Sequence, residues 1–293
     1  MVRNVTDTIW RLGLKDQVHI SGPAERLLSG RGSALNPDFS PDGKKIAFES
    51  SRMGSRDIRD IWICDSDGSN CIQLTDMHGY AGNPRWSPDG HYIVFQAVTK
   101  EDFEVYLLEY PGGTPRLLPT FPDGDKTQPR WSRDGQWIYF VSHWSEAIEG
   151  SIVVLSKMPF VGGKPTLVKT CYGQIFFVES PDRHFLYYTK FGSPGLWRMP
   201  LEGGDETLVL SAKVDVWNWA LTRDGFYYIN DNFKPNGRIE FFNFATHTTT
   251  PIFALERPVA FYSGLTLSPD GKWLLFSENE LNESHIMLVK NFR

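Results

Sequence analysis

The groups in this 293-residue chain that could support chemistry are an Asp-Ser-Asp-Gly-Ser-Asn run at 65–70, a set of regularly spaced aspartates, seven histidines and three cysteines. The 65–70 run has the alternating oxygen donors of a calcium loop. It lacks the distal bidentate Glu and the flanking helical pattern of an EF-hand, and Asp67-Gly68 reads as turn chemistry between two strands. Aspartates 42, 89, 134, 182, 224 and 270 recur at near-equal intervals, which sets them on separate repeats, too far apart for an acid–base pair. Their expected task is to bond turn amides. Histidines 19, 78, 91, 143, 184, 247 and 285 do not fall at equivalent repeat positions, so no metal site is expected. There is no Gly-x-Ser-x-Gly elbow and no His-Glu-x-x-His, and no helical pattern follows Gly30-Arg31-Gly32 to make it a dinucleotide fingerprint. The residues therefore read as non-enzymatic and without a cofactor.

Cys64 and Cys71 bracket the 65–70 turn and should face each other across a hairpin. They form either a disulfide in an oxidising compartment or two small packed thiols, and Cys171 has no evident partner. With 30 Lys+Arg against 35 Asp+Glu the net charge is −5, which argues against direct nucleic-acid binding, because phosphate contacts need clustered cations. Hydrophobic content of 41% with 14% aromatics fits a folded chain, and no apolar run approaches the roughly 18–20 residues of a membrane span. Met1 to Asp7 has no apolar core of a signal peptide, which leaves a periplasmic or a cytoplasmic bacterial setting open.

The elements that position these groups come from a repeat. Asn36-Pro37-Asp38-Phe39-Ser40-Pro41-Asp42-Gly43 returns as Asn83-Pro84-Arg85-Trp86-Ser87-Pro88-Asp89-Gly90 and as Gln128-Pro129-Arg130-Trp131-Ser132-Arg133-Asp134-Gly135. Weaker copies open at Ser180 and Thr222, and a clear one at Ser268. The opening residues lie 47, 45, 48, 42 and 46 apart, the period of four-stranded propeller blades. In each unit strand A ends at the Ser-Pro-Asp-Gly turn, and an aromatic and β-branched strand B follows. Strand C holds pairs such as Ile61-Trp62, Val105-Tyr106 and Leu196-Trp197, and Gly-rich turns lead to a short strand D.

The expected fold is an all-β, six-bladed propeller of four-stranded antiparallel blades, forming a single domain over 1–293. Residues 1–30 supply N-terminal strands and 31–293 supply six repeats. Ile286-Met287-Leu288-Val289-Lys290 reads as strand C of the last blade, and Glu25-Arg26-Leu27-Leu28 as the strand D that closes the ring. Ile9-Trp10-Arg11-Leu12 is then a surplus C-type strand, packed outside the ring or pointing to seven blades. On the six-blade reading its removal should be mild.

The repeated Asn-Pro-x-aromatic-Ser-Pro-Asp-Gly, followed by an aromatic strand and Asp60-Ile61-Trp62, resembles the TolB-type, WD-repeat-like β-propeller family across nearly the whole chain. That resemblance implies one of three settings: the periplasmic protein of the Tol–Pal system, the sensor portion of a larger bacterial regulator, or the non-catalytic domain of a prolyl-oligopeptidase-like enzyme. TolB carries an additional N-terminal α/β domain for which this sequence has no counterpart.

Propellers place function on loop faces or in the central channel. The D–A loops and strand A starts hold Arg31, Ser33, Gln128, Asp215 and Phe261. They also hold the candidate ligand-binding set Tyr80, Arg85, Lys126, Arg130, Gln174, Trp217, Asn218 and Tyr262. Aromatics with arginines suit a protein, peptide or small polar ligand. The alternative for Arg85 and Arg130 is purely structural pairing with Asp38 and backbone carbonyls. The expectation is a monomeric binding or scaffold module. The competing classes are a lyase or hydrolase with a channel site, and a structural or engineered propeller without ligand.

Overall fold

The computed structural model describes residues 4–28, 32–51, 58–99, 102–119, 124–144, 152–172, 175–233, 236–260 and 263–282. Its strands begin with β1 (Asn4–Gly13) and β2 (Glu25–Arg26). Blade one follows as β3 (Ala34–Phe39), β4 (Lys45–Ser51), β5 (Arg59–Asp65) and β6 (Ile72–Gln73). Blade two is β7 (Ala81–Trp86), β8 (Tyr92–Thr99), β9 (Asp102–Glu109) and β10 (Arg116–Leu117). Blade three is β11 (Lys126–Trp131), β12 (Trp137–Trp144), β13 (Ile152–Pro159) and β14 (Thr166–Tyr172). Blade four is β15 (Ile175–Glu179), β16 (Phe185–Lys190), β17 (Ser193–Pro200) and β18 (Thr207–Leu210). Blade five is β19 (Val214–Leu221), β20 (Gly225–Asn230), β21 (Arg238–Asn243) and β22 (Thr248–Ala254), and β23 (Thr266–Leu267) and β24 (Trp273–Asn282) begin blade six. The result is six antiparallel four-stranded sheets in a ring, with no helix among the described residues.

Closure differs from the sequence reading in one respect. Blade six has the order β2-β1-β24-β23, so its strand C is β1, paired with β24 from Asn4↔Asn282 to Gly13↔Trp273. Glu25–Arg26 is the outermost strand as expected, but it pairs with Trp10 and Arg11. Ile286–Lys290 lies outside the described residues. The surplus strand is thus the missing one, and the ring closes at six blades. The physical reason is burial: Ile9 packs toward Phe39 and Phe48 of blade one, while Leu12 packs toward Tyr227 and Phe241 of blade five. A strand outside the ring would leave both faces wet.

The motif explains itself locally. Ser40 Oγ donates to Asp42 Oδ1 at 2.6 Å, Asp42 accepts the Lys44 N–H and Ser40 Oγ accepts that of Lys45, with Gly43 at φ 69°. The same turn recurs at Ser87, Ser132, Ser180 and Ser268. The Ser40 hydroxyl helps hold the Asp42 carboxyl below the usual carboxylate range. Motif prolines pack between blades: Pro41 lies beneath Gly90 and Pro88 beneath Gly135. The Asn-Pro pair is a bulge. Asn36, Asn83 and Gln128 adopt φ of 53–55° where the A–B register slips, a conformation Asn tolerates well. Each bulge is latched from the preceding blade. Glu49 Oε2 accepts the Asn83 N–H at 2.8 Å, and Gln96 Oε1 accepts the Gln128 N–H at 2.7 Å.

The 65–70 run is a hairpin turn. Asp65 accepts from Lys45 and Asn70, and Asp67 accepts from Ser69. The β5–β6 register, Trp62↔Gln73 and Ile63↔Ile72, sets Cys64 opposite Cys71 on adjacent strands. All three cysteines are free, with Cys64 and Cys171 buried and Cys71 exposed. Burial pushes both the Cys64 and the Cys71 thiols up, and Cys71, the exposed one, is the one a reagent meets first. Mild disulfide-forming oxidation of the folded protein should therefore take the thiol titre from three to one, and Cys71→Ser should hold it at two. A titre of three after oxidation would show that the hairpin keeps the thiols from meeting.

Candidate functional site: an arginine-lined axial channel

The strand A ends of all six blades surround a cavity of about 630 Å³ on the propeller axis, running from the bulges to the A–B turns. Two residues before each motif Ser/Thr stand Asp38, Arg85, Arg130, Val178, Ala220 and Thr266, one per blade, and all six line it. At this level of the channel blades one to three thus present charged residues and blades four to six uncharged ones. Two more arginines, Arg133 and Arg223, stand where four of the six motifs have Pro, and Glu179 takes an aromatic's place.

The charged residues differ in how far they are satisfied. Arg85 is buried and donates to the carbonyls of Pro84 at 2.7 Å and Asn36 at 3.4 Å. Asp38 Oδ2 accepts the Trp86 N–H at 2.8 Å. Burial pushes its carboxyl up, against the pull of Arg85, Arg130 and Arg133. Glu179 accepts the Arg133 N–H at 3.0 Å and lies 3.7 Å from Arg183, and burial pushes it up too. At this boundary the packing of Pro269, Pro41 and Pro88 on Gly43, Gly90 and Gly135 is replaced by ions, for Arg183, in the turn-Gly position, donates to Asp134 at 2.5 Å. The Arg130 guanidinium lies over the Phe176 ring at 4.2 Å from its centroid and, among the described residues, makes no hydrogen bond or ion pair. Burial and the neighbouring Arg85 cation drive its pKa well down. A guanidinium keeps its proton in protein, so this marks a cation short of counter-charge.

Of the eight candidates named from sequence, the structure brings Arg85 and Arg130 together in the channel. Tyr80, Lys126, Trp217 and Asn218 serve the ring instead. Tyr80 Oη reaches Glu49 at 3.3 Å and its ring meets Phe103 edge-on, while Lys126 pairs with Glu104 at 3.0 Å. The Trp217 N–H donates to Asp215, and Asn218 links Asp215 to Ser263 of the next blade. Gln174 and Tyr262 lie outside the described residues, as do Arg31 and Phe261. The structural alternative for Arg85 holds for its carbonyl bonds, whereas Arg130 has no such partners. Sequence reasoning missed Arg133, Glu179 and Arg223. The signal available for them was their departure from the motif.

Fold and cavity define a six-bladed β-propeller with a ligand-sized axial channel. More particularly, residues 24–148 match the TolB beta propeller domain family model. An uncharacterised protein of Agrobacterium fabrum is 41% identical over 71 residues, a stretch that is 22% of this chain and 23% of that relative. A TolB-like structure from Agrobacterium tumefaciens superposes with a TM-score of 0.73 at 18% identity, covering 94% of this chain and 99% of that one. TolB from Acinetobacter baumannii superposes at 0.61 and 16% identity, covering 94% of this chain and 65% of that one. These structural likenesses establish the fold.

Proposed function

We propose that the protein is a non-catalytic binding module that takes a peptide or small polar ligand into its axial channel, as the sensor or scaffold portion of a larger bacterial system. The observation that carries this reading is the convergence of strand A ends from all six blades on one cavity, with charged residues from three of them and uncharged ones from the other three at one level. A pure ring scaffold would enclose an axial space too, but it would not need four arginines in its lining. The arrangement supports recognition at the A–B turn end of the channel, away from the D–A loops. Screening short peptides and metabolites by thermal shift should give ligands that stabilise the protein but not Thr266→Trp, whose indole would intrude on the channel. Turnover of a screened compound, abolished by the same substitution, would establish an enzyme instead.

A further inference from the structure

We infer that the channel recognises an organic anion, a carboxylate or phosphate head group held by Arg130 with Arg85 and Arg133 beside it, the apolar body lying along Val178 and Ala220. This inference rests on the channel being the ligand site and adds the chemistry of what enters. The first observation is a local inversion of charge. The chain carries −5 overall, yet the cavity lining holds four arginines against two carboxylates. The second is that both carboxylates are already engaged, Asp38 by the Trp86 N–H and Glu179 by the Arg133 N–H, and Arg85 is held by two carbonyls. Arg133 donates its Nε to the Glu179 carbonyl and Arg223 is exposed, so what remains is Arg130, reaching from blade three over Phe176 of blade four with no side-chain hydrogen-bonding partner among the described residues. Stacking fixes the plane of a guanidinium while leaving its in-plane donors free, and that fork matches the paired oxygens of carboxylate or phosphate. The uncharged Val178, Ala220 and Thr266 of blades four to six then accommodate a body that is not itself highly charged.

The test uses the full chain, with hexanoate, inorganic phosphate and sodium chloride compared at equal ionic strength. Wild type should show a saturable rise in Tm of about 5–10 °C at a hundredfold excess of the preferred anion over its Kd, with chloride ineffective. Preference for hexanoate would assign a carboxylate with an apolar tail, and preference for phosphate a phosphoryl head. Arg130→Gln should weaken the anion at least tenfold, Arg130→Lys should keep part of the affinity, and Lys164→Gln, on an outer hairpin, should match wild type. Because Arg130→Gln also removes an uncompensated cation, its Tm without anion should equal or exceed that of wild type, which separates lost binding from lost folding. An equal anion-induced rise in wild type and Arg130→Gln, or no rise with either anion, would overturn the inference. Neutral ligands that bind wild type but not Thr266→Trp would, in that case, leave the channel reading standing.

Discussion

Removing residues 1–14 should abolish the folded monomer. The deletion takes out β1, which pairs with β24 along its whole length and alone connects β2 to the sheet. It bares the edge of β24 beside the buried Leu274, Leu275 and Phe276. Ile9 and Leu12 are both fully buried, and such side chains are worth about 2–5 kcal/mol each when truncated to alanine. Two of them together are comparable to the roughly 5–15 kcal/mol that holds a typical domain folded. The expected result is aggregation through the exposed edge, or a folded species only as a strand-exchanged oligomer. Size-exclusion chromatography checks this, and a synthetic peptide of residues 1–14 added during refolding should restore the monomer. A soluble monomer with an unchanged Tm would show that β1 is dispensable and that the ring closes otherwise.

Glu49→Ala should destabilise by about 3–5 kcal/mol, the scale for breaking a buried, hydrogen-bonded ion pair. Glu49 is 1% exposed and serves three groups from two strands: it pairs with Arg59, accepts the Asn83 N–H, and lies 3.3 Å from Tyr80 Oη. Truncation leaves the Arg59 cation and the bulge amide without that acceptor at the boundary of blades one and two. A Cβ on Gly82 would fall 2.2 Å from Glu49 Oε2, so the pocket is built around this carboxylate. Glu49→Gln, which keeps an acceptor for the amide, should lose less. Chemical denaturation of the two variants gives the comparison. A loss under about 1 kcal/mol for alanine would show that the blades are joined by apolar packing alone.

The blades were legible because each repeats a turn whose residue types are set by local chemistry: Ser and Asp to bond the amides, and Gly for its positive φ. The occupant of strand C in blade six was not legible. Ile9-Trp10-Arg11-Leu12 and Ile286-Met287-Leu288-Val289 carry the same apolar-rich pattern, and pattern does not say which segment lies next to β24. Pairing at that distance is decided by what the two faces of the strand bury, Ile9 against blade one and Leu12 against blade five. The channel was half legible. Its arginines at 85 and 130 stood out by type, but the bulge that shifts the A–B register just before Arg85 did not show in the spacing. Tyr80 and Lys126 meet Glu49 and Glu104 of the preceding blades. Arg133 and Arg223 were concealed because a repeat shows itself by agreement, while these two residues of the candidate site are departures from it.

Strand β1 is also the first part of the ring to leave the ribosome, and its partner β24 is among the last. Some 260 residues separate them, so at roughly 5–20 residues per second the apolar face of β1 waits on the order of tens of seconds for its mate. Five blades can assemble meanwhile from local hairpins, but the sixth can form only once β24 has been made. That makes closure the step of highest contact order and the slowest to nucleate. Throughout that interval the nascent chain displays Ile9 and Leu12 as a free strand, the kind of segment that chaperones bind and that neighbouring nascent chains on the same message can exchange.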